Sequence, residues 1–375
     1  MNIGFDAKRA FFNKSGLGNY SRSTVQLLSK YYPDNSYFLY TPKFSEANNE
    51  FIDSSNIHVR TPRQCFFRAF NPYWRSYRMA CDFKYDDIDL FHGLSNELPM
   101  NIRKSNVKSV LTVHDLIFMR YPTLYKKVDR WIYEKKFKLS CQRANTVIAV
   151  SQQTKDDLIH YFKIEEDKIR VVYQGCNPIF YDAKTEAEKN KLKQKYNLPE
   201  SFLLYVGTIE ERKNALGIVK ALHEGGIDIP LVLVGKPTAY KRRIEQYIAD
   251  KNVKNDIRFF SEIPYEELPV FYQLSSAFIY PSFFEGFGIP ILEALNSGVP
   301  VITSSGGCFH ETGGPASMYV EPSSTEEIAN AIRKVLFDDQ LRQVMKEKGF
   351  AHAMKFRDGN VAKAMMQAYL DTFKK

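Results

Sequence analysis

The residues best suited to chemistry are two glutamates, Glu285 and Glu293, which enclose seven residues around a glycine-rich turn. The run from Pro281 to Thr303 reads PSFFEGFGIPILEALNSGVPVIT. Pro290 suits the first turn of a helix and Gly298 its stop, after which Val299-Pro300-Val301 resumes a strand. Glu293 then lies one turn into the helix, and Glu285 lies in the loop before it. Gly286 and Gly288, with Phe287 and Ile289 between and after them, let backbone approach a ligand closely, and a helix start offers N–H groups to a phosphate. A carboxylate on that face can accept hydrogen bonds from the vicinal hydroxyls of a ribose or hexose. The competing reading makes both glutamates helix-start charges favoured by the macrodipole. The intervening Gly-Phe-Gly-Ile-Pro weighs against it.

A second element is Tyr205-Val206-Gly207-Thr208-Ile209-Glu210-Glu211-Arg212-Lys213-Asn214. A strand ending at Gly207 leads to a loop, with Arg212 and Lys213 at the start of a helix. Two cations there suit a diphosphate, and a preorganised cation pair can stabilise a departing diphosphate where no metal is used. Phe12 to Tyr20, with Gly16, Leu17 and Gly18, follows the first strand and can present N–H groups to phosphates. It lacks the third glycine of a dinucleotide fingerprint, which counts against a dehydrogenase. Leu111-Thr112-Val113-His114-Asp115 places an imidazole at the end of a buried strand, with Asp115 as a helix cap. Asp87-Ile88-Asp89 has the spacing of a metal-binding D-x-D, but reads better as the polar entry to a buried strand. His92 to Asn96 follows that strand as a candidate lining of the acceptor side. Cys308 has no base in register and reads as a plain buried thiol.

Together these residues resemble the E-x7-E signature and its companions in the retaining glycosyltransferases of family 4, which have the GT-B fold. The resemblance covers nearly the whole chain and is strongest across residues 169–322. It implies two Rossmann-like, doubly wound α/β domains facing a central cleft. It implies that Glu293 holds the nucleotide ribose, that Glu285 lies near the transferred sugar, and that Arg212 and Lys213 hold the donor pyrophosphate. It implies that the loop at Gly16–Gly18 faces donor phosphates and acceptor, and that His114 touches the sugar hydroxyls. No cofactor and no metal are implied, the nucleotide diphosphate sugar being a substrate. The passage Val113 to Pro122 is similar to mannosyltransferases that use GDP-mannose in surface-polysaccharide assembly, so a glycan or lipid-linked glycan is the implied acceptor. His310-Glu311 departs from the family's usual Pro-Glu. A sugar-nucleotide epimerase of the same fold, or a non-catalytic nucleotide-sugar-binding protein, are the alternative readings.

The elements that must position these groups follow a βα rhythm. Apolar runs at Asn2–Asp6, Tyr37–Tyr40, Ile88–His92, Ser109–His114, Thr146–Val150 and Ile169–Tyr173, then at Phe202–Val206, Leu231–Val234, Ile257–Phe259, Ala277–Tyr280 and Val299–Thr303, alternate with helical stretches. That pattern predicts two parallel sheets, and 375 residues exceed one core. The expected division is 1–180, 181–355 and a final helix, 356–375, which in GT-B proteins crosses back to the first domain. The turn residues Gly175 to Pro178 and the Lys/Glu-rich helix after them suit a linker.

The charge of +9 is carried by the first half: residues 1–180 hold 27 basic and 18 acidic side chains, whereas 181–375 hold 25 of each. A one-signed field suggests an anionic partner. Without a nucleic-acid motif, an anionic membrane or a lipid-phosphate acceptor is expected and nucleic acid is not. From Asn71-Pro72 a helix to about Asp82 is expected, with Trp74, Tyr77 and Cys81 on one face and Arg75 and Arg78 towards the other. The five scattered cysteines (Cys65, Cys81, Cys141, Cys176, Cys308) and the absence of a leader pattern or a long apolar run point to a cytoplasmic protein, at the inner face of the membrane.

Overall fold

The computed structural model describes residues 1–13, 15–44, 51–52, 54–63 and 71–374, so Lys14 and Cys65 lie outside the described residues. The chain forms two compact units, Met1–Gln174 with Asp358–Lys375, and Gly175–Arg357.

Among the described residues, the first unit is built on a parallel sheet of seven strands: β1 (Asn2–Asp6), β2 (Ser36–Tyr40), β3 (Ile57–Arg60), β4 (Leu90–Gly93), β5 (Lys108–Val113), β6 (Thr146–Ala149) and β7 (Ile169–Val171). Their order is β3-β2-β1-β4-β5-β6-β7. The second unit has six: β8 (Leu203–Val206), β9 (Leu231–Val234), β10 (Ile257–Phe260), β11 (Ala277–Tyr280), β12 (Val301–Ser304) and β13 (Met318–Val320), in the order β10-β9-β8-β11-β12-β13. Central strands such as β8, β9, β11 and β12 are buried along their whole length. Helices cover both faces of such sheets, so their strands read as continuous apolar runs rather than alternating ones. Each sheet begins in its middle, at β1 or β8, winds out to one edge and then resumes on the other side at β4 or β11. The crevice outside the carboxyl ends of those strand pairs is where open α/β sheets bind ligands.

Two strands have no counterpart in the apolar runs. Ile57–Arg60 and Met318–Val320 are edge strands and largely half-exposed. An edge strand buries less of itself and can carry His58 and Arg60, so no hydrophobic run marks it.

The boundary falls at Gly175 because residues 175–180 pack into the second unit. Phe180 is fully buried, with its ring against Tyr265 and Tyr272, and the Cys176 thiol accepts a hydrogen bond from Asn296. The charged helix Glu186–Lys195 follows, started by a reciprocal capping box between Thr185 and Glu188. The last helix, Asp358–Phe373, joins the first unit's core through Met365, Met366 and Tyr369. The Tyr369 hydroxyl pairs with His92 Nδ1 at 2.7 Å, and Thr372 donates to Thr146 at 2.9 Å.

The helix expected over 71–82 is not continuous. Its turns widen to π type at Trp74–Arg78 and tighten to 3-10 type at Met79–Cys81. The side chains therefore leave α-helical phase: Trp74 is buried, while Tyr77 and Cys81 are exposed. Arg75 points inward instead of to solvent, pairing with Asp6 at 2.6 Å and Glu97 at 2.7 Å. Two carboxylates in reach, Asp6 buried and Glu97 half-buried, outweigh the cost of desolvating its guanidinium.

Candidate active site

In the second unit, β8 and β11 deliver their following loops to the point where the winding reverses. The peptide after β8 enters at Gly207, whose φ of 153° favours glycine. A β-carbon there would lie 3.4 Å from the Lys213 ammonium, so glycine also leaves that side chain its place. Arg212 and Lys213 occupy a single 3-10 turn, Glu211–Lys213. Asn214, in the left-handed region, then starts the helix Ala215–Glu224 and donates from its side chain to the Pro322 carbonyl at 2.7 Å. The loop after β11 carries Glu285 and Gly286 to Gly288, which adopts φ 98° and precedes the helix Ile289–Asn296. Two bonds stitch the loops together: Phe283 N–H donates to the Arg212 carbonyl, and the Arg212 guanidinium donates to the Phe284 carbonyl.

The charged groups converge on one oxygen. Glu285 Oε1 meets Arg212 at 2.8 Å and Lys213 at 3.4 Å, and it accepts from the Tyr280 hydroxyl at 2.7 Å and from Ser282 at 3.1 Å. Tyr280 in turn accepts from Lys213 at 2.6 Å. Glu285 Oε2 takes no part in these bonds. Burial alone would raise the Glu285 carboxyl, but the Lys213 and Arg212 charges outweigh it and hold it at about 2. Arg212 also pairs with Glu210 at 2.6 Å, and these carboxylates overcome its own desolvation to keep it firmly protonated.

Glu293 sits in a different setting. It is buried on its helix, and no cation among the described residues pairs with it; the Tyr272 hydroxyl donates to Oε2 at 2.8 Å and Tyr265 to Oε1 at 3.2 Å. Burial pushes its carboxyl up to about 7 against the opposing pull of the two hydroxyls and the charge of Lys213. The two glutamates thus stand in opposite electrostatic states, one fixed as an anion and one poised near neutrality. Phe287 turns inward to pack on Phe356 while Thr312 donates to its carbonyl, so its side chain anchors the loop. Cys308 is buried and donates to the Glu285 carbonyl at 3.2 Å, and burial pushes its thiol well up, as an inert thiol requires.

In the first unit, Gly16, Leu17 and Gly18 form the first turn of the helix Gly16–Tyr31, which follows β1. A β-carbon on Gly18 would lie 1.8 Å from the Asn13 carbonyl oxygen, whereas one on Gly16 would meet open space. His114 follows β5 and is buried, with Nε2 2.9 Å from the Leu94 carbonyl. A carbonyl only accepts, so Nε2 carries the proton and Nδ1 is left as an acceptor. Burial lowers the imidazole to about 4 against the pull of that carbonyl, with Arg9 lowering it further, so it is neutral. His92 is inside β4 and fully buried between Tyr369 and Thr112, and so lines no acceptor surface. Asp86 and Asp89, around the D-x-D, are engaged in structure: Asp86 pairs with Arg60 at 2.7 Å, and Asp89 accepts from the Asn2 amide at 2.8 Å. Among the described residues, no three His, Cys, Asp or Glu side chains are grouped to hold a metal.

Comparison with known proteins bears on this arrangement. Residues 183–352, which include Arg212, Lys213, Glu285 and Glu293, match the profile of the glycosyl transferases group 1, and residues 19–179 match that of Glycosyltransferase Family 4. The O-antigen chain mannosyltransferase B of Escherichia coli is 32% identical over 286 residues, covering 75% of this chain and 74% of that protein. The chain belongs to glycosyltransferase family 4. Two solved structures share the family member's GT-B fold from end to end. One is a sucrose-phosphate synthase from Thermosynechococcus elongatus, with TM-score 0.80, 22% identity, and 100% and 99% of the two chains covered. The other is Anabaena HepE in complex with UDP and glucose, with TM-score 0.77, 18% identity, and 99% and 100% covered.

Tyr280, Tyr265, Tyr272 and Glu210 are members of the family-4 chain's site that motif reading did not single out. Tyr280 ends the strand before the PSFFEG run, so its place at the carboxyl end of a central strand was the usable signal. Tyr265 and Tyr272 lie ahead of that strand, and nothing in their spacing to Glu293 marks them.

Proposed function

We propose that this chain transfers a mannosyl group from GDP-mannose to a hydroxyl of a glycan or lipid-linked glycan in surface-polysaccharide assembly, with retention of configuration and without a metal ion. The observation that carries the reading is the convergence of Arg212 and Lys213 on Glu285 at 2.8 and 3.4 Å, with both cations at the switch point of the second sheet. A diphosphate that takes the place of that carboxylate meets two preorganised positive charges just where negative charge grows as the sugar departs. The relatives named for O-antigen mannosyl transfer support the sugar and the pathway class.

In this reaction the acceptor oxygen bonds to the anomeric carbon, the bond from that carbon to the diphosphate oxygen breaks, and the acceptor's proton passes to the departing diphosphate. Glu293 holds the ribose. Glu285 Oε2 accepts from a sugar hydroxyl, and the N–H groups at Gly286–Gly288 assist the phosphates. In the first unit, His114 Nδ1 is an acceptor suited to a hydroxyl, and Gly16–Gly18 open a helix suited to a phosphate. No cofactor enters. The acceptor's partner surface is assigned to the helix Lys127–Arg143, where exposed Val128, Trp131 and Ile132 lie among Lys126, Lys127, Lys135 and Lys136. Basic and aromatic side chains so mixed suit the anionic cytoplasmic face of a membrane. No helix among the described residues is long and apolar enough to cross one.

The test is product analysis with GDP-mannose, with UDP- and ADP-sugars as competing donors, with and without a glycan acceptor, in buffer and in excess EDTA. An α-mannoside formed only with acceptor, at unchanged rate in EDTA, is the expected result. Loss of turnover in EDTA overturns the metal-independent mechanism, and a free epimerised sugar nucleotide overturns transfer.

A further inference from the structure

Glu293 is a buried carboxylate to which no cation among the described residues is bonded, an arrangement that needs hydrogen-bond donors in exchange for the water it has lost. The donors are two tyrosines from a separate stretch of chain, one on each oxygen: Tyr272 at 2.8 Å to Oε2 and Tyr265 at 3.2 Å to Oε1. Tyr272 lies on the helix Leu268–Leu274 and Tyr265 on the turn before it. Both rings are braced by the buried ring of Phe180, at centroid distances of 5.6 and 5.7 Å, so neither hydroxyl is carried on a loose side chain. Each carboxylate oxygen has two lone pairs, and each tyrosine uses one. We propose that Tyr265 and Tyr272 are positioning residues for donor binding: they fix the Glu293 carboxylate so that its remaining lone pair on each oxygen meets one of the two vicinal hydroxyls of the nucleotide ribose.

The inference rests on the assignment of Glu293 to the ribose and adds what makes it selective for a diol. Only the ionised carboxylate can accept from both tyrosines and from two further hydroxyls; once protonated, it turns one oxygen into a donor. The groups that face it are the two phenols, the Lys213 ammonium and, beside Tyr265, Cys176 and Glu266. Burial, reinforced by the Glu293 charge, drives both phenols far up, so they stay donors throughout the working range. Ribose recognition is therefore strong above the Glu293 titration near 7 and weakens as pH falls through it. Removing a phenol hydroxyl deletes a hydrogen bond to the charged form, which moves that midpoint upward.

The experiment is calorimetric binding of GDP and of 2′,3′-dideoxy-GDP, with the uridine pair alongside, between pH 6 and 8.5. It uses the full chain, E293Q, Y272F and Y265F. The wild type is expected to prefer the ribonucleotide by roughly tenfold or more above pH 7. Y272F should lose most of that preference and shift its midpoint up by about one pH unit, and Y265F, with the longer bond, should change in the same direction by less. A merely structural role for the rings would weaken both ligands alike and leave their ratio intact. The inference is overturned if both phenylalanine variants keep the wild-type ratio and midpoint while E293Q abolishes the ratio. A ratio unchanged in E293Q is a different result: it removes the ribose assignment itself.

Discussion

Arg212 and Glu285 form a 2.8 Å ion pair between the loops that follow β8 and β11, and Lys213 approaches the same carboxylate oxygen at 3.4 Å. Both cations are thus paired with protein carboxylates, Arg212 also with Glu210, which keeps them ordered.

Replacing Arg212 with alanine should lower turnover by about 100-fold or more, the scale of losing one preorganised charge. The same change leaves Glu285 buried with Lys213 alone and should cost up to about 3 kcal/mol of stability. The Glu285 carboxyl is depressed to about 2, so its contribution is present above the ordinary carboxylate range and is lost as pH falls from about 4.5 towards 2. Acid unfolding followed by circular dichroism should therefore begin at higher pH in R212A than in the wild type. Turnover near the wild-type rate in the folded variant would remove Arg212 from the site.

Glu293 has the opposite sign. Its folded value is raised to about 7, so the stability it lends is complete below about 4.5 and is lost as pH rises through 7. At pH 8 the ionised side chain is a net burden, of the order of 3 kcal/mol if the whole shift is expressed. Glu293→Gln should accordingly raise the melting temperature of the ligand-free protein at pH 8 and change it little at pH 5. Equal melting shifts at both pH values would contradict the buried, near-neutral state.

The two glycines of the first helical turn should respond in opposite directions. Gly18→Ala would force a β-carbon to within 1.8 Å of the Asn13 carbonyl oxygen, and the turn must shift. Gly16→Ala meets nothing within 4 Å and adds helix propensity, a gain of up to about 1 kcal/mol. Melting temperatures of the two variants should fall on either side of the wild type, and donor turnover should drop only in Gly18→Ala. A tolerated Gly18→Ala would show that the close approach is not structural.

His114 is held neutral, lowered to about 4 by burial, with the proton on Nε2. Its removal as His114→Ala should lower kcat/KM for donor by roughly 10-fold, the scale of one lost hydrogen bond in a buried site. The pH profile between 5 and 8 should keep its shape in that variant. A limb near pH 6 that disappears in H114A would mean that the imidazole titrates during the reaction.

Much of this was written locally in the chain. A central parallel strand is an apolar run, a helix start has its proline and a helix stop its glycine, and a loop after such a strand falls at the carboxyl edge of a sheet. Those rules place Gly207, Arg212, Lys213 and Glu285 after strands at the carboxyl edge of a sheet, and Glu293 on the helix that follows; the strand order then makes that place the switch point. Edge strands β3 and β13 escape the same rules because exposed strands need no apolar run, and the 71–82 segment escapes because π and 3-10 turns break the helical period that phased Tyr77 and Cys81 inward.

What the folded chain alone decided is the electrostatic state of each group. Sequence presents Glu285 and Glu293 as two like residues in one motif. Tertiary contact sets one against Arg212 and Lys213 and the other between Tyr265 and Tyr272, and so drives their carboxyls to about 2 and about 7. The physical reason is range: a helix cap or a strand is specified by neighbours a few residues away, whereas burial and a charged partner depend on which distant side chains pack within a few ångströms.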